Sequence, residues 1–168
     1  KWDSPRRAPI TIQIVLNNFL KLCQKHGYQL DIVYFGTDQS AQFINGKNLG
    51  QLTKKELHEL YLKSDFGIAP SMTNFSLVPY EMMSSGLPVI DFYEGTGRSF
   101  MPENCALFCH LDEQSLFQTF QNAISHPGHI AETVKNAQAH LNTVTWKETI
   151  KDFINVINAI QSKNRIVS

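Results

Sequence analysis

The residues best equipped for chemistry lie close together, between Asp65 and Asp91. Ser71, Thr73, Asn74 and Ser76 put hydroxyl and amide groups into one short polar loop, and Glu81 follows shortly after. Pro79 fits the first turn of a helix, where its missing N–H costs nothing. The free N–H groups and the positive dipole end of such a helix favour phosphate. Glu81 falls in that first turn. It either accepts hydrogen bonds from sugar hydroxyls beside a phosphate or only offsets the helix dipole.

These residues need a scaffold, and the flanking pattern supplies one. An apolar run at 66–69 is closed by Pro70, and a second at 87–90 stops at Asp91. A short helix over 79–83 separates them, ended by Ser84-Ser85-Gly86, with Gly86 suited to the left-handed position after the last turn. Strand, loop, helix and strand in this order predict a crossover between parallel strands. The polar loop then lies at the carboxyl end of a strand, where open α/β sheets bind ligands.

The rest of the chain extends the alternation. Ile12, Val15, Leu16, Phe19, Leu22, Cys23 and His26 follow helical spacing, predicting a helix over 9–26 stopped by Gly27. Arg6 and Arg7 sit just before it, the wrong end for the dipole, which makes sense if an anion lies over the helix start; the alternative is a solvated pair. A strand is expected over 30–36 and a short one over 48–51, with the Asn45-Gly46 turn between them. Thr53 and Glu56 form a capping box opening a helix to about Lys63, with Leu57, Leu60 and Tyr61 inward. Beyond Asp91, Gly95-Thr96-Gly97 is weak evidence for phosphate binding. It reads as an active-site loop with Arg98 a substrate contact, or as an ordinary exposed loop.

A strand over 104–109 follows, then a helix capped by Asp112 and carrying Leu116, Phe117, Phe120 and Ile124. His126 to His129 read as a turn rather than a metal site, because no carboxylate or cysteine flanks them. Two more helices are expected. One carries Ile130, Val134, Ala137 and Leu141. The other opens at a second capping box, Thr145 to Glu148, and carries Trp146, Ile150, Phe153, Ile154, Ile157 and Ile160. The sum predicts an α/β fold: a Rossmann-like parallel sheet with helices on both faces.

Composition bounds the rest. The 168 residues suffice for a single domain over 1–168 with a real core. A formal net charge of zero argues against a nucleic-acid partner held by bulk positive charge. No apolar run approaches the roughly 18 residues needed to span a membrane. Cys23, Cys105 and Cys109 are too few for a disulfide framework and read as small buried hydrophobes in a reducing cytoplasm. No metal site is expected. Asn74-Phe75-Ser76 matches the N-glycosylation pattern by chance in this setting. The chain begins at Lys1 without Met, so a longer protein is expected.

The central stretch resembles the donor-site motif of retaining GT-B glycosyltransferases of the glycosyltransferase-4 type. Pro70-Ser71, Phe75, Leu77, Glu81, Gly86 and Pro88-Val89 carry the likeness. The family's first glutamate is replaced by Thr73, and the loop is more similar to a rhamnosyltransferase-like branch. The resemblance covers most of the chain and implies the donor-binding C-terminal half of a GT-B fold. It also implies a strand before Lys1 and a separate acceptor-binding N-terminal domain.

By the same resemblance, Arg6, Arg7 and the backbone N–H groups of Ser76 and Leu77 hold the donor diphosphate. Thr73, Asn74 and Phe75 contact the donor sugar, Glu81 the ribose, and Gly50 and Leu52 the base. The implied reaction is sugar transfer from a nucleotide-sugar such as dTDP-rhamnose to a glycan or lipid-linked glycan, in polysaccharide biosynthesis. It uses no metal or other cofactor, and this half alone is inactive. The setting is cytoplasmic, with a peripheral place at the inner membrane face open to the full-length protein. A non-catalytic binding or assembly module and a sugar-nucleotide epimerase remain as alternatives. A phosphorylase would want a cofactor lysine within 65–91, and none is there.

Overall fold

The computed structural model describes residues 8–74 and 76–164. In order they form α1 (Pro9–Lys25), β1 (Val33–Tyr34), β2 (Lys47–Asn48), α2 (Lys54–Lys63), β3 (Gly67–Ile68), α3 (Val78–Ser84) and β4 (Val89–Phe92). Then come β5 (Leu107–Cys109), α4 (Glu113–Ser125), α5 (Pro127–Leu141) and α6 (Trp146–Asn164). All pairing among the described strands is parallel. The crossover around α3 is as the sequence predicts: Gly67 pairs with Val89 and Ile68 with Ile90. The pairing is divided into a three-stranded sheet, β3-β4-β5, and a two-stranded one, β1-β2.

Helices cover both faces. The apolar stripe of α1 buries Ile12, Val15, Leu16, Phe19 and Cys23. With Leu116, Phe117 and Phe120 of α4 it packs over Ile90, Phe92, Leu107 and Cys109. Phe19 meets Phe120 edge to face at 5.6 Å, a favoured aromatic geometry. On the other face Met82 and Met83 of α3, Tyr61 of α2 and Ala137 of α5 enclose Leu87, Val89 and Cys105. Successive β4 residues feed opposite clusters, as strand geometry requires. Gly67 lets α3 lie directly on β3: a Cβ there would meet Met82 Sδ at 2.5 Å.

Several expectations need correcting. The strand expected over 30–36 is regular only at Val33–Tyr34, and the short one expected over 48–51 is Lys47–Asn48. Of the run 104–109 only Leu107–Cys109 is strand, because Glu103–Cys105 forms a single 3-10 turn. The turn expected at 126–129 is the start of α5, with Pro127 in its first turn, where a proline loses no hydrogen bond. Asp91 does not end β4 but lies inside it, fully covered. Both capping residues are in place: Thr53 and Glu56 bond reciprocally, and the Thr145 hydroxyl accepts from the Glu148 N–H at 3.2 Å. Yet Ile150, Phe153, Ile154, Ile157 and Ile160 on α6 remain exposed. All three cysteines are buried, and desolvation raises the Cys23 thiol to about 11 and the Cys109 thiol to about 12, so both stay neutral.

Candidate functional site

The polar loop sits where the sequence placed it, after β3 and before α3. It is fastened to the loop that follows β4. The Thr96 N–H donates to the Ser71 carbonyl at 2.8 Å, and the Thr96 hydroxyl lies 3.0 Å from that oxygen and 2.9 Å from the Asn74 carbonyl. The Ser71 hydroxyl, itself buried, turns back to donate to Asn74. The Tyr80 hydroxyl of α3 donates to the Phe100 carbonyl at 2.6 Å, tying the helix to the same second loop.

Beneath this junction lies Asp91, 3% exposed. Its Oδ1 accepts the Phe92 N–H at 2.8 Å. Burial pushes the carboxyl up to about 6, against the opposing pull of that bond. The second loop runs directly over the carboxylate: a Cβ at Gly97 would overlap Asp91 Oδ2, and one at Gly95 would stand 3.0 Å from the Ser71 carbonyl. The Gly-x-Gly element is therefore a close-approach device, and glycine is required at 97 by space. The sequence reading missed Asp91 and Thr96. The available signal was an acidic residue amid Val89-Ile90-Asp91-Phe92, followed by two glycines.

The expected contacts are distributed as follows. Thr73 and Asn74 are exposed, Ser76 is half-buried, and Leu77 is exposed at the mouth of α3. Glu81 is exposed on α3, and its charge adds to desolvation in raising the Tyr61 hydroxyl to about 12. Arg6, Arg7 and Phe75 lie outside the described residues. Gly50 is buried at the end of β2, its carbonyl accepting the Gly36 N–H at 2.8 Å, and Leu52 is half-buried beside it. Arg98 pairs with Glu103 and lies over the Tyr93 ring at 5.0 Å. Among the described residues no group of three His, Cys, Asp or Glu side chains is placed to hold a metal ion. Among them also, no helix is long and apolar enough to cross a membrane.

Between the β1 and β3 edges lies a cavity of about 720 Å³. It is lined from Gln29, Leu30 and Asp65 at the amino ends of the strands to Gly36 and Pro70 at their carboxyl ends.

No family model matches the chain, and no curated protein matches it. Solved structures do match in fold. Sucrose-phosphate synthase from Thermosynechococcus elongatus superposes with a TM-score of 0.67 at 18% identity, over 95% of this chain and 44% of that one. HepE of Anabaena, solved with UDP and glucose, gives 0.68 at 18% identity, over 93% and 46%. The α,α-trehalose 6-phosphate synthase of Burkholderia multivorans gives 0.71 at 12% identity, over 95% and 42%. These are GT-B glycosyltransferases, and the chain spans less than half the length of each. The fold is α/β with parallel strands, like one Rossmann-like half of such enzymes.

Proposed function

We propose that this chain is the donor-binding half of a retaining glycosyltransferase, of the glycosyltransferase-4 type that its loop resembles. The observation that carries the reading is the fastened pair of loops at the carboxyl ends of β3 and β4, opening onto α3. A ligand site at that edge is where open parallel sheets place one. The arrangement is rigid below, through Asp91, Thr96 and Ser71, and polar above, through Thr73 and Asn74. It offers hydrogen-bonding groups without demanding that the scaffold reorganise.

In this reading the backbone N–H groups of Ser76 and Leu77, with Arg6 and Arg7, stabilise the diphosphate as it leaves with negative charge. Arginine suits that role because its planar fork matches phosphate oxygens. Thr73, Asn74 and Phe75 are the proposed donor-sugar contacts. Glu81 accepts from the ribose hydroxyls, and Gly50 and Leu52 border the base. Thr73 in place of a carboxylate favours a donor sugar with fewer hydroxyls, such as the rhamnose of dTDP-rhamnose. The UDP bound to HepE favours uridine instead. The acceptor, a glycan or lipid-linked glycan, belongs to an N-terminal domain beyond this chain, and without it the domain binds donor but does not transfer. The proposed setting is polysaccharide synthesis at the cytoplasmic face of a membrane.

Calorimetric titration with UDP, dTDP and GDP tests the reading. One of the three is expected to bind, and Glu81→Ala to weaken it about tenfold, or about 1.4 kcal/mol. Absence of binding by all three would overturn the donor site.

A further inference from the structure

Among the described residues Asp91 is the only carboxylate that the fold buries. Buried charges are ordinarily paired with a countercharge or met by several hydrogen-bond donors. Here the one hydrogen bond to the carboxylate among the described residues comes from the neighbouring Phe92 N–H. Asp91 faces a crevice whose polar lining is Ser71, Ser76, Tyr80 and Thr96, with no Lys, Arg or His of the described residues on it. The crevice measures about 10 Å³, room for about one water. An ionised carboxylate therefore finds neither a countercharge nor a hydration shell while the site stays closed.

The titratable groups on the surrounding elements do not supply that countercharge. On β5 the Cys109 thiol, raised to about 12 by desolvation and then by Asp112, Glu94 and Asp91, stays neutral. On α3 the Tyr80 hydroxyl, raised by burial and then by Cys105, donates to the Phe100 carbonyl, and Glu81 is exposed. In the second loop Arg98 is taken by Glu103, and Glu94 by His110 and the Leu111 N–H. On α5 His140 lies against the Tyr80 ring, 6.2 Å between centroids.

What can yield is the cover. Below the carboxylate, β4 is buried throughout and pairs with β3 on one side and β5 on the other. Above it runs the second loop, with Gly97 so close that a Cβ would overlap Oδ2. Arg98, Ser99 and Phe100 of that loop are exposed. The same loop holds the polar loop in place, because Thr96 bonds the Ser71 and Asn74 carbonyls. Water reaches an ionised Asp91 by lifting this cover, which breaks the Thr96 bonds and releases the polar loop with it.

We propose that Asp91 is a proton-dependent latch for the two loops: neutral, it lets the second loop close over it and hold the polar loop; ionised, it draws in water and lets both loosen. With a folded value of about 6 against about 3.9 when hydrated, the closed form holds the proton about 100-fold more tightly. Ionisation therefore shifts closure by up to that factor. The closed state is fully favoured below about pH 4, loses that advantage as pH rises through about 6, and is level above. The effect on ligand affinity rests on the donor-site reading; the latch itself rests on the buried carboxylate and its cover.

Amide hydrogen exchange, expressed as protection relative to the unfolded chain at each pH, tests the latch. The Thr96 N–H reports the loop junction, and the Gly67 N–H, bonded to the Pro88 carbonyl, reports the sheet. From pH 4.5 to 7.5 the protection of Thr96 should fall at least tenfold and that of Gly67 should hold. In Asp91→Asn, Thr96 should be equally protected at both. Constant Thr96 protection in the unsubstituted protein would overturn the latch. So would a pH dependence that survives Asp91→Asn, or a parallel fall at Gly67. Carbon NMR of the Asp91 carboxyl needs no variant: its midpoint should match that of the Thr96 change, and separate midpoints would also overturn the latch. UDP titration is read apart from this. Its affinity relative to Asp91→Asn should fall over the same pH range, whereas no UDP binding at either pH counts against the donor site and leaves the exchange result standing.

Discussion

The two ends of the carboxyl rim are built differently. At β3 and β4 the loops rest on a strand whose four residues are all buried, and Thr96 and Tyr80 bond across them. At β1 and β2 the ladder is two residues long and borders the cavity. It is held by local devices: Asn48 bonds the Asp38 and Ala41 carbonyls, and Tyr34 stacks on Phe43 at 3.9 Å. Of the residues proposed to hold the donor, Thr73, Asn74, Ser76 and Leu77 belong to the first end, and Gly50 and Leu52 to the second. The first end rests on a fully buried strand, whereas the second is held mainly by short-range bonds and one ring stack.

The largest expected difference comes from removing one ring at each end. Phe92→Ala should cost about 3–5 kcal/mol as a buried aromatic truncation. Tyr34→Ala should cost about 1–2 kcal/mol, mainly the stacked pair with Phe43. Urea denaturation of both variants checks this, and equal losses would break the contrast.

Next is Asp91. Its folded value of about 6 lies above the unfolded value of about 3.9. The native state therefore holds this proton more tightly. The contribution is fully present below about pH 4, is lost as pH rises through about 6, and is level above. At about 1.4 kcal/mol per unit, the total is about 2–3 kcal/mol. Asp91→Asn should remove that slope and be the more stable protein at pH 8, read from denaturation curves at pH 4.5 and 8. A slope that persists in the variant would assign it to other groups.

The smallest contrast is between two glycines. Gly97→Ala places a methyl onto the Asp91 carboxylate, and overpacking of that kind costs about 1–3 kcal/mol. Gly36→Ala meets nothing within 4 Å and suffers only its φ of +84°, about 1 kcal/mol. Thermal melts rank the two, and a reversed order would mean that the loop over Asp91 yields more readily than the β1 exit.

Much of this architecture was legible in local pattern. The run to Pro70, the proline of α3, Gly86 and the second apolar run specify a crossover because each is a local backbone constraint. The Thr53 and Asp112 caps were legible for the same reason, since a cap bonds only three residues away. The turn expected at His126 was misread because a proline can end one helix or begin the next, and packing decides which.

The amino-acid sequence by itself determined the alternation of strands and helices, the polar loop before Pro79 and the buried character of the cysteines, all of which depend on neighbours along the chain. Only the tertiary structure decided that Asp91 is covered, that Thr96 fastens one loop to another, and that the β1 and β3 edges face each other across an open space. Those facts concern distances between residues far apart in sequence, and burial is a property of what surrounds a group, which no local pattern records.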